Sequence, residues 1–148
     1  MEKEKLVLFL NRLLANYFVI FIKCHRYVWF MKGVHIFLLQ KVFYDLKEEI
    51  KSEIDQLAEH ILSMDGKPFA TMEKYVKEAT IEEATADDLE EEMISQLTAD
   101  FLQIQKEISE IGIHKANTLD DALTLHLLYS MQKKLNKYIW RFRNYDKK

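Results

Sequence analysis

The stretch 39–64 restricts the fold more than any other part of the chain. Leu39, Phe43, Leu46, Ile50, Ile54, Leu57, Ile61 and Met64 recur in steps of three and four, the spacing that lines one side of an α-helix. Gly33 stands before this helix and Gly66-Lys67-Pro68 after it, residue types that stop helices. The spacing predicts a helix from about His35 to Met64, with Gly66 as its left-handed cap. The other side of this helix is not uniformly charged. At about 100° per residue, Phe37, Gln40, Tyr44, Glu48, Asp55, Glu59 and Leu62 share a second face. A helix apolar on one side and mixed on the other suits two contacts, its own bundle and a partner chain. Asp55 and Glu59 are four apart, so their carboxylates project side by side and can share a cation.

The rest of the chain extends the same pattern. It has only three glycines and one proline in 148 residues, with 49% hydrophobic residues, and no stretch alternates as a strand would. That predicts an all-α fold in one domain, 1–148, with a core large enough to bury and surface left for assembly. Acidic residues number 24 and basic residues 21, a net charge of −3, so no overall positive field draws the protein to nucleic acid. The single cysteine, Cys24, excludes an internal disulfide framework and reads as a buried thiol in a reducing cytoplasm. The apolar run 17–22 lies between Asn11-Arg12 and Lys23 and is short for a membrane span. No small-residue cleavage site follows an early apolar region, so no signal peptide is expected.

Helix one is predicted from about Lys3 to Lys32. Leu6, Leu10, Leu13, Tyr17, Phe21, Cys24 and Val28 form one stripe, and Phe18, Ile22, His25 and Trp29 an adjoining one, a surface wider than one core needs. Its start, Met1–Lys5, reads as a frayed end. A short helix capped by Thr71 follows Pro68, and Thr85 with Asp88 reads as a capping pair for helix three. Helix three carries Leu89, Met93, Leu97, Phe101, Ile104, Ile108 and Ile111 and is expected to stop at Gly112. The Glu90-Glu91-Glu92 run reads as a solvated first turn favoured by the helix dipole. Helix four opens at Thr118 with Asp121 and carries Leu128, Met131, Leu135, Tyr138 and Phe142. The basic tail from Arg141 reads as a solvated end. His35 and His60 read as helix-start and helix-surface residues.

One ordered string, D-x-x-A-E-x-I-x-x-x-x-G-x-P-x-x-T, runs from Asp55 to Thr71. With Tyr27, Trp29, Gly33, His35, Phe37, Leu39, Phe43, Glu49, Tyr75, Ala79 and Ile81, it resembles the Dps family, the mini-ferritins named for DNA protection in starved cells. The resemblance implies a ferritin-like four-helix bundle with a short helix in the long crossover between helices two and three. It implies a dodecameric homo-oligomer and a role in iron sequestration and protection from oxidative damage. In that family an iron-oxidising site forms across a two-fold interface, with two histidines from one subunit and an aspartate and a glutamate from its partner. The acids match Asp55 and Glu59. The histidine positions fall on Val28 and Gln40, and an additional acid of many members falls on Tyr44. Acids lining a three-fold iron-admitting pore in the family correspond loosely to Asp120 and Asp121, where the dipole-favoured reading of helix-start acids stands equally well; His126 occupies a position where an acid is expected. The lysine-rich arm implicated in DNA binding in some members has no counterpart in Met1–Lys5, so neither charge nor tail supports DNA as a partner.

The chemistry of the matched positions is reduced. Imidazole gives a site affinity and selectivity for transition metals, whereas carboxylates and an amide offer only hard oxygen donors. Val28 cannot ligate and Gln40 offers a neutral carbonyl oxygen, so Asp55 and Glu59, with Gln40 as a weak third, are expected to hold iron poorly and oxidise it slowly. His25, three residues before Val28, could stand in as a shifted ligand, though its side chain projects about 60° away; the plainer reading is a hydrogen-bonded histidine at a helix contact. Three readings follow: a Dps-like shell that still mineralises iron, a non-catalytic shell or mixed-shell partner, and an unrelated helical interaction module.

Overall fold

The computed structural model describes residues 1–84 and 89–145. The described residues are helical: α1 (Glu2–Phe30), α2 (Ile36–Ser63), α3 (Met72–Glu78), α4 (Glu90–Glu107), a π-helical segment Ile108–Ile113 leading straight into α5 (His114–Thr118), and α6 (Ala122–Arg143). The expected stripe of α2 is its buried side: Leu39, Phe43, Leu46, Ile50, Ile54, Leu57 and Ile61 are all in the core. The stripe of helix four is likewise buried from Leu128 to Phe142. The α1 stripe holds for Leu6 to Tyr17 and Cys24, while Phe21 and Val28 are half-buried.

Helices α2 and α4 start at the same end of the bundle. The His35 amide at the start of α2 donates to the Glu90 carboxylate at the start of α4 (3.1 Å), and Glu90 N donates to Lys32 O. The two helices therefore run parallel and need a long crossover. Two buried asparagines of α1 pin that crossover at both ends of α3. Asn11 accepts from Phe69 N (2.8 Å) and donates to Lys67 O (3.1 Å). Asn16 accepts from Thr80 N (2.8 Å). Thr71 caps α3 as expected, accepting from Lys74 N. The expected Thr85–Asp88 capping pair lies outside the described residues.

By length and composition α1 is apolar enough to cross a membrane, so the shortness of the run 17–22 is not what argues against a span. What does is that most of α1 is packed inside the bundle and that several of its polar side chains have partners built inside that bundle. Besides the asparagines, Lys23 reaches Asp100 at 2.6 Å and Tyr27 donates to Gln96 at 2.7 Å, both on α4.

The glycines do different jobs from those expected. Gly33 (φ 151°) does sit in the turn after α1, in a left-handed-side conformation that glycine takes freely. At the end of α2 the left-handed residue is Asp65 (φ 61°) rather than Gly66. Asp65 N bonds Leu62 O and Gly66 N bonds Ile61 O, the paired closure of a Schellman motif. Gly66 is needed for space, since a Cβ there would lie 2.8 Å from Val7 and 3.0 Å from Ile61. Gly112 does not end helix three. It lies inside the π-helical segment, buried, where a Cβ would collide with the Phe9 ring. The wider π turn brings Gly112 inward and leaves Ile111, expected in the core, 41% exposed. Leu89, at the other end of that stripe, is 50% exposed. Gly112→Ala is expected to lower stability by about 1–3 kcal/mol through overpacking, and Phe9→Leu in the same chain to recover part of the loss. Thermal unfolding at fixed protein concentration reads both; a neutral Gly112→Ala would mean that the ring moves aside freely.

Candidate metal site on the second helix

The face of α2 opposite the core is uncovered. Asp55 and Glu59 are exposed, and among the described residues neither makes an ion pair or hydrogen bond. On the same face Phe37 is 87% and Leu62 59% exposed, and Tyr44 carries the Lys47 ammonium over its ring at 4.3 Å. Helix geometry explains the side-by-side acids, because residues four apart project from one face.

Val28 and Gln40 are brought together, but as a clasp between helices. Gln40 Nε2 donates to the Val28 carbonyl at 2.9 Å, so the amide nitrogen ties α2 to the last turn of α1. Gln40 lies fifteen residues before Asp55, roughly 22 Å along the helix axis. Within one chain the acids and the Val28–Gln40 pair cannot meet on one ion. Among the described residues no group of three His, Cys, Asp or Glu side chains converges to hold a metal. Any shared site needs a second chain to bring one half to the other.

The remaining candidates are placed differently. His25 is packed among aromatic rings, edge-on to Phe21 (4.6 Å) and tilted against Trp29 (5.2 Å). It has no hydrogen bond among the described residues, so ring packing replaces the expected hydrogen-bonded contact. Burial, and then the Lys47 charge, holds its pKa below the ordinary range. The adjoining α1 face stays open: Ile22 is 46% and Trp29 69% exposed. With Met72 and Val76 of α3 they line a groove of about 580 Å³.

Glu90 is not part of a solvated first turn. It is buried, bonded to His35 Nδ1 (2.9 Å) and to the Tyr145 hydroxyl (2.6 Å). Burial works to raise its pKa, but the Tyr145 and His35 bonds prevail and hold it below the usual range. Glu91 and Glu92 remain exposed. His60 is half-buried rather than a plain surface residue, with Nε2 2.7 Å from Thr124 Oγ1.

Asp120 (φ 51°) occupies the left-handed position that closes α5, and Asp121 N bonds Ala116 O. Asp121, not Thr118, caps the last helix, accepting from Thr124 N and Thr124 Oγ1. Thr118 belongs to α5 and its hydroxyl turns back to His114 O. His126 is exposed, as are Arg141 and Arg143 in the tail.

One polar cluster went unread in the sequence. Glu53 is 3% exposed inside the bundle, facing Tyr17, and its Oε1 lies 3.4 Å from Lys134 Nζ. Burial pushes the Glu53 carboxyl up to about 7 against the pull of Lys134. Burial, then the Glu53 charge, pushes the Tyr17 phenol well above its ordinary 10. The signal was available, since position 53 lies three after Ile50 and four before Leu57, on the edge of the apolar stripe.

Four long helices, a parallel second and third pair and a crossover carrying its own short helix define a ferritin-like domain, and the family model of that description matches residues 7–148. General stress protein 20U of Bacillus subtilis is 32% identical over 142 residues, covering 96% of this chain and 97% of that protein. The DNA protection during starvation protein of Brevibacillus brevis is 33% identical over 138 residues, 93% and 92% of the two chains. The chain belongs to the Dps family. Among solved structures, Dps from Staphylococcus aureus superposes with a TM-score of 0.93 at 30% identity, covering 96% and 95% of the two chains. Dps from Vibrio cholerae O1, described as a member of a broad superfamily of ferritin-like diiron-carboxylate proteins, superposes at 0.92 with 27% identity over 97% and 90%.

Proposed function

We propose that this chain, a single domain over 1–148, is the subunit of a cytoplasmic dodecameric shell that sequesters iron and protects against oxidative stress. Its oxidation of ferrous iron is slow. Iron is cargo and substrate, bound weakly by Asp55 and Glu59 across a two-fold interface, with Gln40 Oε1 of the facing subunit as a third, poor donor. Asp120 and Asp121 flank the route by which iron enters, in a minor role given that the Asp121 carboxylate is already committed to Thr124. The observation that carries the reading is the separation of the two halves along one helix face. The acids stand unpaired on a face that also exposes Phe37 and Leu62, which suits burial against a second copy. The oxygen-only donor set argues for weak, slow chemistry.

Light scattering should give a mass near twelve chains, and a monomer would end the shell reading. Asp55→Ala is expected to weaken ferrous binding by about tenfold or more, read by anaerobic calorimetry; unchanged binding would move the metal elsewhere. A second reading, a shell or mixed-shell partner without iron oxidation, draws support from the Gln40–Val28 clasp. Ferrous oxidation with peroxide, followed by ultraviolet absorbance, separates the two.

A further inference from the structure

The outer groove between α4 and α6 gathers positive charge that nothing around it balances. Of the 24 acidic residues in the chain, none lies on α6 from Ala122 to Arg143. Tyr145, just past the end of α6, meets Glu90 at the start of α4, so the two helices run antiparallel. Gln105 Nε2 donates to Gln132 O at 3.4 Å, which sets position 105 of α4 against 132 of α6. Counting outward from that bond, Leu102 stands level with Asn136, Lys106 with Lys133, and Ser109 with Tyr129. All six are exposed and line one open groove of about 590 Å³.

The middle level therefore holds two ammonium groups. Packed helices lie about 8–10 Å apart, a gap that two long lysine side chains close on one group between them. Among the described residues neither Lys106 nor Lys133 makes an ion pair or hydrogen bond. No acid lines the groove, and Glu110, four residues beyond Lys106, lies outside it. Lys134 and Lys137, on the adjoining side of α6, are by contrast paired with Glu53 and Glu49. Two unpaired like charges at one level repel each other until an anion enters. One turn along, about 6 Å for four residues, the Tyr129 ring is 53% exposed and stacks on no other ring among the described residues.

We propose that this groove binds a nucleoside phosphate, its phosphate clamped between Lys106 and Lys133 and its base stacked on Tyr129. A bare oxoanion uses only the ammonium pair. An exposed aromatic face one helical turn away suits a ligand that joins a phosphate to a flat ring, since every base has a face to stack. The Ser109 hydroxyl beside the ring and the Asn136 amide on the far side of the ammonium pair add neutral hydrogen-bonding groups. The site lies on other helices than Asp55 and Glu59 and does not depend on the iron reading.

The test is calorimetry of the assembled protein with AMP and, separately, with inorganic phosphate. AMP is expected to bind about tenfold or more tightly than phosphate, the order that one stacked base contributes. Lys106→Gln and Lys133→Gln should each weaken AMP binding by about tenfold, as loss of one hydrogen bond to a charged group does. Lys51→Gln, which removes an exposed charge from α2, should leave it unchanged. Tyr129→Leu should bring AMP down to the affinity of phosphate and leave phosphate itself unaltered. All four positions are exposed, so the variants are expected to fold, and thermal unfolding confirms it. AMP that fails to bind, or binds no better than phosphate, overturns the proposal. So does AMP binding at parental strength in both groove-lysine variants or in Tyr129→Leu.

Discussion

Val28→His together with Gln40→His is expected to raise the initial rate of ferrous oxidation by about tenfold or more. As proposed, the half-site offers an aliphatic side chain and one neutral amide oxygen, and the amide nitrogen is spent on the Val28 carbonyl at 2.9 Å. Two imidazoles replace them with nitrogen donors, which favour ferrous iron over the hard ions that an all-oxygen set accepts. Changing even supporting groups around a metal alters affinity by about 10–100-fold, so two new ligands should do at least as much. The cost is small: one part-buried hydrogen bond, about 1 kcal/mol, which an imidazole at position 40 can restore by donating to the same carbonyl. The measurement is initial rate with hydrogen peroxide at fixed iron. Adding Asp55→Ala to the double variant should return the rate to the parent's. A double variant no faster than the parent would place the iron site elsewhere.

Glu53→Gln is expected to stabilise the protein above neutral pH by about 2–3 kcal/mol and to leave it unchanged near pH 4. Burial raises the folded carboxyl from its ordinary 4.5 to about 7, so the folded chain holds this proton more tightly than the unfolded chain. Ionising Glu53 therefore costs stability. The penalty is absent below about pH 4.5, grows as pH rises through that window, and is complete above about 7. A tenfold difference in proton affinity between the folded and unfolded chain is worth about 1.36 kcal/mol, so the full rise from 4.5 to about 7 gives a ceiling of about 3.4 kcal/mol, just above the expected range. The amide keeps the shape and removes the charge. Lys134, less buried than its partner, can turn to water once freed. Thermal unfolding of parent and variant from acid to alkaline pH gives the difference. Curves that run parallel across the whole range would mean that the carboxyl is already charged and satisfied by Lys134 in the core.

Helix positions and core stripes were legible because they depend on local periodicity. Every member of the α2 stripe from Leu39 to Ile61 is buried, and each long helix ends within a few residues of its expected bound except helix three. There the reading failed because Gly112 has two meanings in sequence. A glycine closes a helix or makes room inside one, and only the Phe9 ring, far away in the chain, selects the second. Asp65 and Asp120 took left-handed positions for which glycine was the obvious candidate, because Schellman closures of α2 and α5 placed them there. Glu90 looked like any acid of a first turn; His35 and Tyr145, distant in the chain, make it a buried tie.

The candidate site divides along the same line. Periodicity alone put Asp55 and Glu59 on one outward face, since side-chain direction on a helix follows from residue number; that the family's histidines would fall at positions 28 and 40 came from the resemblance to the Dps family. That Gln40 clasps Val28, that Asp121 is committed to Thr124, and that His60 meets the same hydroxyl required the packed bundle. Those contacts join α1 to α2 and α2 to α6. Their geometry depends on how whole helices lie against one another, a relation that no local spacing encodes.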